Sequence, residues 1–218
     1  MIESVLKPGS TVYTAVLNFR GTVEALRGAL EQPPYQKPPQ APVLFIKPPS
    51  TWIGDGDAIP CPRGVSQLRM GGTLAVVIGR TARQIREADA LDYVRGYTIA
   101  NDVSIPHDSY YRPPVKERCR DGFCPVHARA VPLANPDAVE IRISINGQLR
   151  ATNTTAHLIR RVARLLADIT EFVTLHSGDL VLVGEPDNAP LASPGDVVRV
   201  ELDGVGFLEN TIVEEVSL

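Results

Sequence analysis

Cysteine, histidine and long apolar runs are all scarce in this chain, and each shortage removes a class of function. Cys61, Cys119 and Cys124 are the only cysteines among 218 residues. Their odd number and the lack of CxxC spacing argue against a zinc site or a disulfide framework, so free reduced thiols are expected. The four histidines, His107, His127, His157 and His176, are scattered without ligand spacing, and no HExxH or GxSxG motif is present. Each histidine therefore reads singly as a surface or structural residue. No apolar run approaches the roughly 20 residues of a membrane span, and MIESVLKPGS lacks the apolar centre of a signal peptide. Charge of one sign is lacking as well. With 22 Lys+Arg against 25 Asp+Glu and a net charge of −3, there is no electrostatic footprint for nucleic acid or an anionic membrane. A soluble cytoplasmic protein is expected, with a small molecule or another protein as its partner. Gly71-Gly72 precedes its strand, whereas phosphate-binding glycines follow theirs, so a phosphate loop is excluded.

What is present is a hydrophobic content of 44%, enough for a full core in one domain. TVYTAVLN (11–18) alternates as a half-buried strand does, and TVEALRGALE (22–31) reads as a short helix opened by Thr22. The prolines of QPPYQKPPQAP forbid regular structure, so an ordered surface loop is expected there. VLFIK (43–47), the continuously apolar LAVVIG (74–79) and YTIANDVS (97–104) are expected strands, with a helix over READALDYV that stops at Gly96. Residues 105–125 form a long polar and aromatic loop, and long loops on a β framework often carry function. The Asn-Gly step in VEIRISINGQLR predicts a hairpin. NTTAHLIRRVARLLADITEFV should be the longest helix, because Leu158, Val162, Leu165, Leu166, Ile169 and Val173 share one face. LVLVGEP, DVVRVEL and GFLENTIVEEV add further strands. The fold class is mostly β with two or three helices, an α+β arrangement.

Taken in order, FIKPP, LAVVIG with YTIANDVS after it, YYRPPVKERCRDGFCP, TTAHLI, and FVTLHSGDLVLVGEP before SPGD resemble the fumarylacetoacetate hydrolase family over nearly the whole chain. YYRP followed by CRDG is similar, more narrowly, to the isomerase/decarboxylase branch that serves homoprotocatechuate (4-hydroxyphenylacetate) catabolism. That branch carries two family-like halves, fused or as separate subunits, and this chain resembles the N-terminal half or its free-standing subunit. The resemblance implies a mixed β-roll, with residues 1–42 as a small lid-like segment and 43–218 as the core. It also implies dimers, and an Mg or Mn ion that three carboxylates hold against a 2-oxo acid. Asp102 falls on one of those carboxylates. Gly71 and Thr73 occupy the two usual glutamate positions, so MGGTLAVVIG looks like a metal-site strand stripped of its acids. Thr22 falls where the family's lid has a histidine, with Glu24 or Ala25 nearest the lid's glutamate.

The chemistry implied needs two things. Decarboxylation sends an electron pair into a carbonyl that a cation polarises, and isomerisation moves a proton with a positioned base and acid. Mg can be held by one or two carboxylates with water and substrate completing its shell. Asp102 alone would then be a weak, incomplete site unless Glu185 or a neighbouring subunit contributes. Lys47, Arg118 and Glu185 are the candidate catalytic residues. Lys47 is suited to pair with a carboxylate or act as an acid, Arg118 stands where the family often has lysine, and Glu185 replaces the usual threonine or serine before the proline of VGEP. Tyr110, Tyr111, Arg112, Arg120 and Asp121 are candidate substrate-binding residues, because guanidinium forks take carboxylates bidentately. The expected partner is a small dicarboxylate or 2-oxo acid, and the expected assembly is a homodimer or a heteromer with a related subunit. The activity implied is that of an isomerase/decarboxylase subunit acting on 5-oxopent-3-ene-1,2,5-tricarboxylate and 2-hydroxyhepta-2,4-diene-1,7-dioate. The alternatives are a metal-deficient, non-catalytic assembly partner, or a family hydrolase of another 2-oxo or 3-oxo diacid.

Overall fold

In the computed structural model, which describes residues 5–107, 109–111 and 114–215, two five-stranded sheets pack face to face. The described strands are, in chain order, β1 (Val12–Val16), β2 (Val43–Lys47), β3 (Trp52–Ile53), β4 (Ala58–Cys61), β5 (Leu68–Arg69), β6 (Gly72–Ile78), β7 (Val94–Asn101), β8 (Cys124–Pro125), β9 (Glu140–Ile145), β10 (Gln148–Thr154), β11 (Leu180–Leu182), β12 (Leu191–Ala192), β13 (Val197–Leu202) and β14 (Gly206–Glu214). One sheet runs β2-β1-β11-β6-β7 and the other β10-β9-β13-β14-β4, with β12-β5 and β3-β8 as small pairs. Both large sheets are mixed, since β1 is parallel to β11 and β14 is parallel to β4. β1 lies between β2 and β11, so the core draws on residues before 43.

Side-chain alternation builds the layers. Leu74, Val76 and Ile78 of β6 point into a core shared with Ile141, Ile143 and Ile145 of β9 and Val198, Val200 and Leu202 of β13. Ala75 and Val77, on the opposite face of β6, pack with Val12, Leu180, Leu182 and Val126 in a second cluster. A strand buried on both faces has no polar side to show, which is why LAVVIG reads as an unbroken apolar run.

The helices are shorter than the sequence suggests. They are α1 (Arg20–Ala25), α2 (Arg27–Leu30), α3 (Val115–Arg118) and α4 (Val162–Thr170). The expected helix at 22–31 is two turns that break at Leu26, and its first cap residue is Phe19 rather than a threonine. READALDYV forms a 3-10 segment over Glu87–Tyr93, and Gly96 does not stop it but lies inside β7. The largest correction concerns 153–173, where regular helix is confined to Val162–Thr170. β10 continues through Thr154, whose hydroxyl accepts from Ala156 N. Thr155 Oγ1 accepts from Val139 N at 2.8 Å and donates to Pro136 O, while Leu158 bridges to Phe19. Threonine hydroxyls that bond the backbone compete with a helix, and here they win. The Asn-Gly hairpin forms as expected, with Asn146 and Gly147 at φ 52° and 74°, the signs a type I′ turn requires. All three cysteines are free. Among the described residues, no helix is long and apolar enough to cross a membrane.

Candidate active site

Asp102 follows the last residue of β7 and is fully buried. Its backbone N–H donates to Gly71 O at 3.0 Å, which locks the start of β6 beside it. Lys47, the last residue of β2 and also fully buried, places Nζ 2.6 Å from Asp102 Oδ1. The same ammonium donates to the carbonyls of Val103 (3.1 Å), Arg118 (2.6 Å) and Phe123 (3.1 Å). The neighbouring β1 supplies Thr14, whose hydroxyl donates to Asp102 Oδ2 at 2.8 Å. An ammonium so enclosed holds loops together; it is a positioning residue with no face left for substrate.

Arg118, from the single turn of α3, is fully buried and joins two carboxylates. One terminal nitrogen lies 3.4 Å from Asp102 Oδ2 and also contacts Glu185 Oε2, and the other reaches Glu185 Oε2 at 3.1 Å. The guanidinium carbon stands 5.6 Å from the Phe45 ring centre. Glu185 arrives by a turn after β11, where Gly184 sits at φ 136° and a Cβ would crowd Asn18 and Phe19 at 3.3 Å. That conformation is open to glycine and strained for other residues.

These charges set the titration of the group. Burial would raise the Asp102 pKa, but Arg118 and Lys47, with hydrogen bonds from Lys47 and Thr14, more than reverse it and hold it below the ordinary aspartate value. Glu185 goes the other way. Burial pushes its pKa up, and the pull of Arg118 does not fully offset that and the charge of Asp102. Two carboxylates with oppositely displaced pKa values divide naturally into a permanent ion and a proton carrier.

Glu185 also faces a cavity of about 310 Å³, with a side chain only 10% exposed. Leu17 and the α1 turn with Thr22 and Ala25 line one side, and Arg69, His107 and Tyr110 line others. Burial raises the Tyr110 pKa, and burial followed by the nearby Arg118 charge lowers that of His107. His107 Nδ1 pairs with Ser109 O at 3.1 Å, and its Nε2 is buried with no hydrogen-bond partner among the described residues.

The expected residues therefore divide. Lys47, Asp102, Arg118 and Glu185 converge in one ion cluster, and Tyr110 joins Glu185 on the cavity. Tyr111 is not among the cavity-lining residues; it is 55% exposed and stacks edge-on against Tyr35. Arg120 pairs with Glu215 at 3.2 Å and Asp121 is exposed, so neither reaches the cavity. Arg112 lies outside the described residues. Arg69 and His107 were not legible as site residues, because a lone arginine at a strand end and a lone histidine in a loop carry no motif.

A divalent cation does not fit this cluster. Among the described residues, no group of three or more His, Cys, Asp and Glu side chains converges. Two carboxylates already face two buried cations, so no excess negative charge remains for Mg or Mn. A Cβ on Gly71 would lie 2.6 Å from Asp102 O and 3.1 Å from Glu185 Cγ, so Glu185 fills the room that an acid at position 71 would need. Thr73, fully buried, bonds only its own strand, to Leu74 O at 3.3 Å. Among the described residues, the ion implied by the resemblance has no site built for it.

Comparison with known proteins agrees with the fold. The chain is 45% identical over 205 residues to the 4-hydroxyphenylacetate degradation bifunctional isomerase/decarboxylase of Escherichia coli, covering 94% of this chain and 47% of that protein. The chain thus spans about half the length of the curated relatives it matches. The solved structure of 5-carboxymethyl-2-hydroxymuconate delta-isomerase from Mycobacterium smegmatis superposes with a TM-score of 0.79 at 30% identity, over 95% of this chain and 80% of that one. Fumarylpyruvate hydrolase from Pseudomonas aeruginosa, solved with Mn2+ and pyruvate, gives 0.81 at 22% identity over 94% and 90% of the two chains, a likeness of fold. Residues 11–213 match the family described as fumarylacetoacetate (FAA) hydrolase C-terminal. By its sequence, its relatives and its mixed β architecture, the chain belongs to the fumarylacetoacetate hydrolase family.

Proposed function

We propose that this chain is a subunit of an isomerase/decarboxylase acting on 5-oxopent-3-ene-1,2,5-tricarboxylate and 2-hydroxyhepta-2,4-diene-1,7-dioate in homoprotocatechuate catabolism. The observation that carries the reading is Glu185, a carboxylate of raised pKa that Arg118 holds at the wall of a cavity of about 310 Å³. In the isomerisation, the proton of the 2-hydroxyl leaves and one is delivered to C5, turning the hydroxydiene into an oxo-ene. A carboxylate whose pKa burial raises above the ordinary glutamate value suits both halves of that transfer. In the decarboxylation, the bond from C2 to its carboxylate breaks, CO₂ departs, and the electron pair moves through C3=C4 onto the C5 carbonyl oxygen. Cationic donors on the cavity wall receive that charge. The assembly proposed is a dimer or a heteromer with a related subunit of the same family.

A second reading, a non-catalytic assembly partner, is favoured by Gly71 and Thr73 standing where the family resemblance implies metal-binding glutamates. Turnover of both substrates by the chelator-treated chain, alone and mixed with a related full-activity subunit, separates the two. Product formation by the chain alone in the presence of EDTA is expected. No turnover by the chain alone, with turnover appearing only when the full-activity subunit is added and assembly intact, would leave the non-catalytic reading standing.

A further inference from the structure

Resting on that functional reading, we propose that Arg69 is the group that grips the 2-oxo-carboxylate end of the substrate, doing with a guanidinium fork what a bound cation would do elsewhere. Arg69 ends β5, and its backbone is fixed from two sides: it pairs with Leu191 of β12, and its N–H and C=O exchange hydrogen bonds with Ser104 at 2.8 and 3.2 Å. Leu68 and Met70 beside it are fully buried, so the alternation of the strand turns Arg69 alone toward the cavity it lines. Its charge is felt by Glu185, Tyr110 and His107 alike, which places the guanidinium among the three titratable groups of the cavity.

Among the described residues, no hydrogen bond or ion pair engages the side chain of Arg69, in contrast to Arg118 and Lys47 nearby, which are held by buried carboxylates. A half-buried guanidinium with open donors beside a cavity is arranged for an anion that arrives from solution. A 2-oxo acid presents a carboxylate oxygen and a carbonyl oxygen on adjacent carbons, and two parallel N–H groups of a guanidinium match that pair. In the dienolate formed by either reaction the oxygen beside the carboxylate, a carbonyl oxygen in the decarboxylation and a hydroxyl oxygen in the isomerisation, gains charge, so the grip tightens as that intermediate forms. His107 Nε2, buried and without a partner among the described residues, lies on the same wall and is placed to supply a further hydrogen bond.

Calorimetric titration of the metal-free chain with oxalate, which mimics the paired oxygens, tests this together with substrate kinetics. The wild type should bind oxalate, Arg69→Gln should weaken it at least tenfold with unchanged circular dichroism, and Arg69→Lys should recover only part of the loss. Acetate, with a single carboxylate and no adjacent oxygen, should bind more weakly than oxalate to the wild type and lose less in Arg69→Gln. If Arg69→Gln binds oxalate and turns over substrate as the wild type does, the role of Arg69 is overturned and the functional reading survives. If the wild type neither binds oxalate nor turns over substrate, both fall.

Discussion

Asp102 and Glu185 share one guanidinium yet are displaced in opposite directions, and each displacement has its own consequence. Asp102 is surrounded by Lys47, Arg118 and Thr14. Replacing it with Asn strands two buried cations, which costs about 3–5 kcal/mol by analogy with broken buried pairs, measurable by denaturant unfolding. Because its folded pKa is lowered, its stabilisation is present above the ordinary aspartate value of 3.8 and is lost as pH falls through the lower folded value. In Asp102→Asn that part of the pH–stability curve should be flatter. Glu185 has the opposite sign, since a raised pKa makes stability decline as pH climbs from the ordinary 4.5 through the folded value. Asp102 could be singled out in the sequence through the family resemblance of its NDVS segment, though as a metal ligand and not as the partner of two buried cations. Arg69 and His107 could not, because only the fold brings the ends of β5 and of the β7 loop to one cavity.

At the scale of elements, legibility followed the kind of signal. Strands with one or two buried faces were placed closely, as VLFIK over Val43–Lys47 illustrates. The Asn146-Gly147 turn was readable because positive φ at both positions is a steric demand that few residue pairs meet. Gly147→Ala should destabilise the hairpin by about 1 kcal/mol, seen as a lower unfolding midpoint with an unchanged slope. Helices were over-read. The apolar face of 153–173 is real, but its first third is spent on β10, on threonine bonds to the backbone and on the Leu158 bridge to Phe19. Periodicity reports which side chains are buried and not which backbone conformation buries them. The same limit hid the 3-10 segment over Glu87–Tyr93, which lies against α4.

Across the whole molecule, the overall architecture could be anticipated because motif order survives substitution, whereas the cluster's neutrality could not, because it depends on Arg118 and Glu185 meeting across the fold. The ion cluster also reaches farther along the chain than any single element does. Thr14 and Asp102 are 88 residues apart, Lys47 and the Arg118 carbonyl 71, and Arg118 and Glu185 67. Each of those loops must close before its contact is made, and closure is a cost met early for a reward gained late. The knot of charges should therefore be missing from the folding transition state. Stopped-flow refolding of Asp102→Asn is expected to keep nearly the wild-type rate while its unfolding accelerates, with a φ-value near zero; a slowed refolding limb would place the cluster in the nucleus instead. In that light the buried ions act as a clasp that sets how long the native state lasts, and have little say in how quickly it is found.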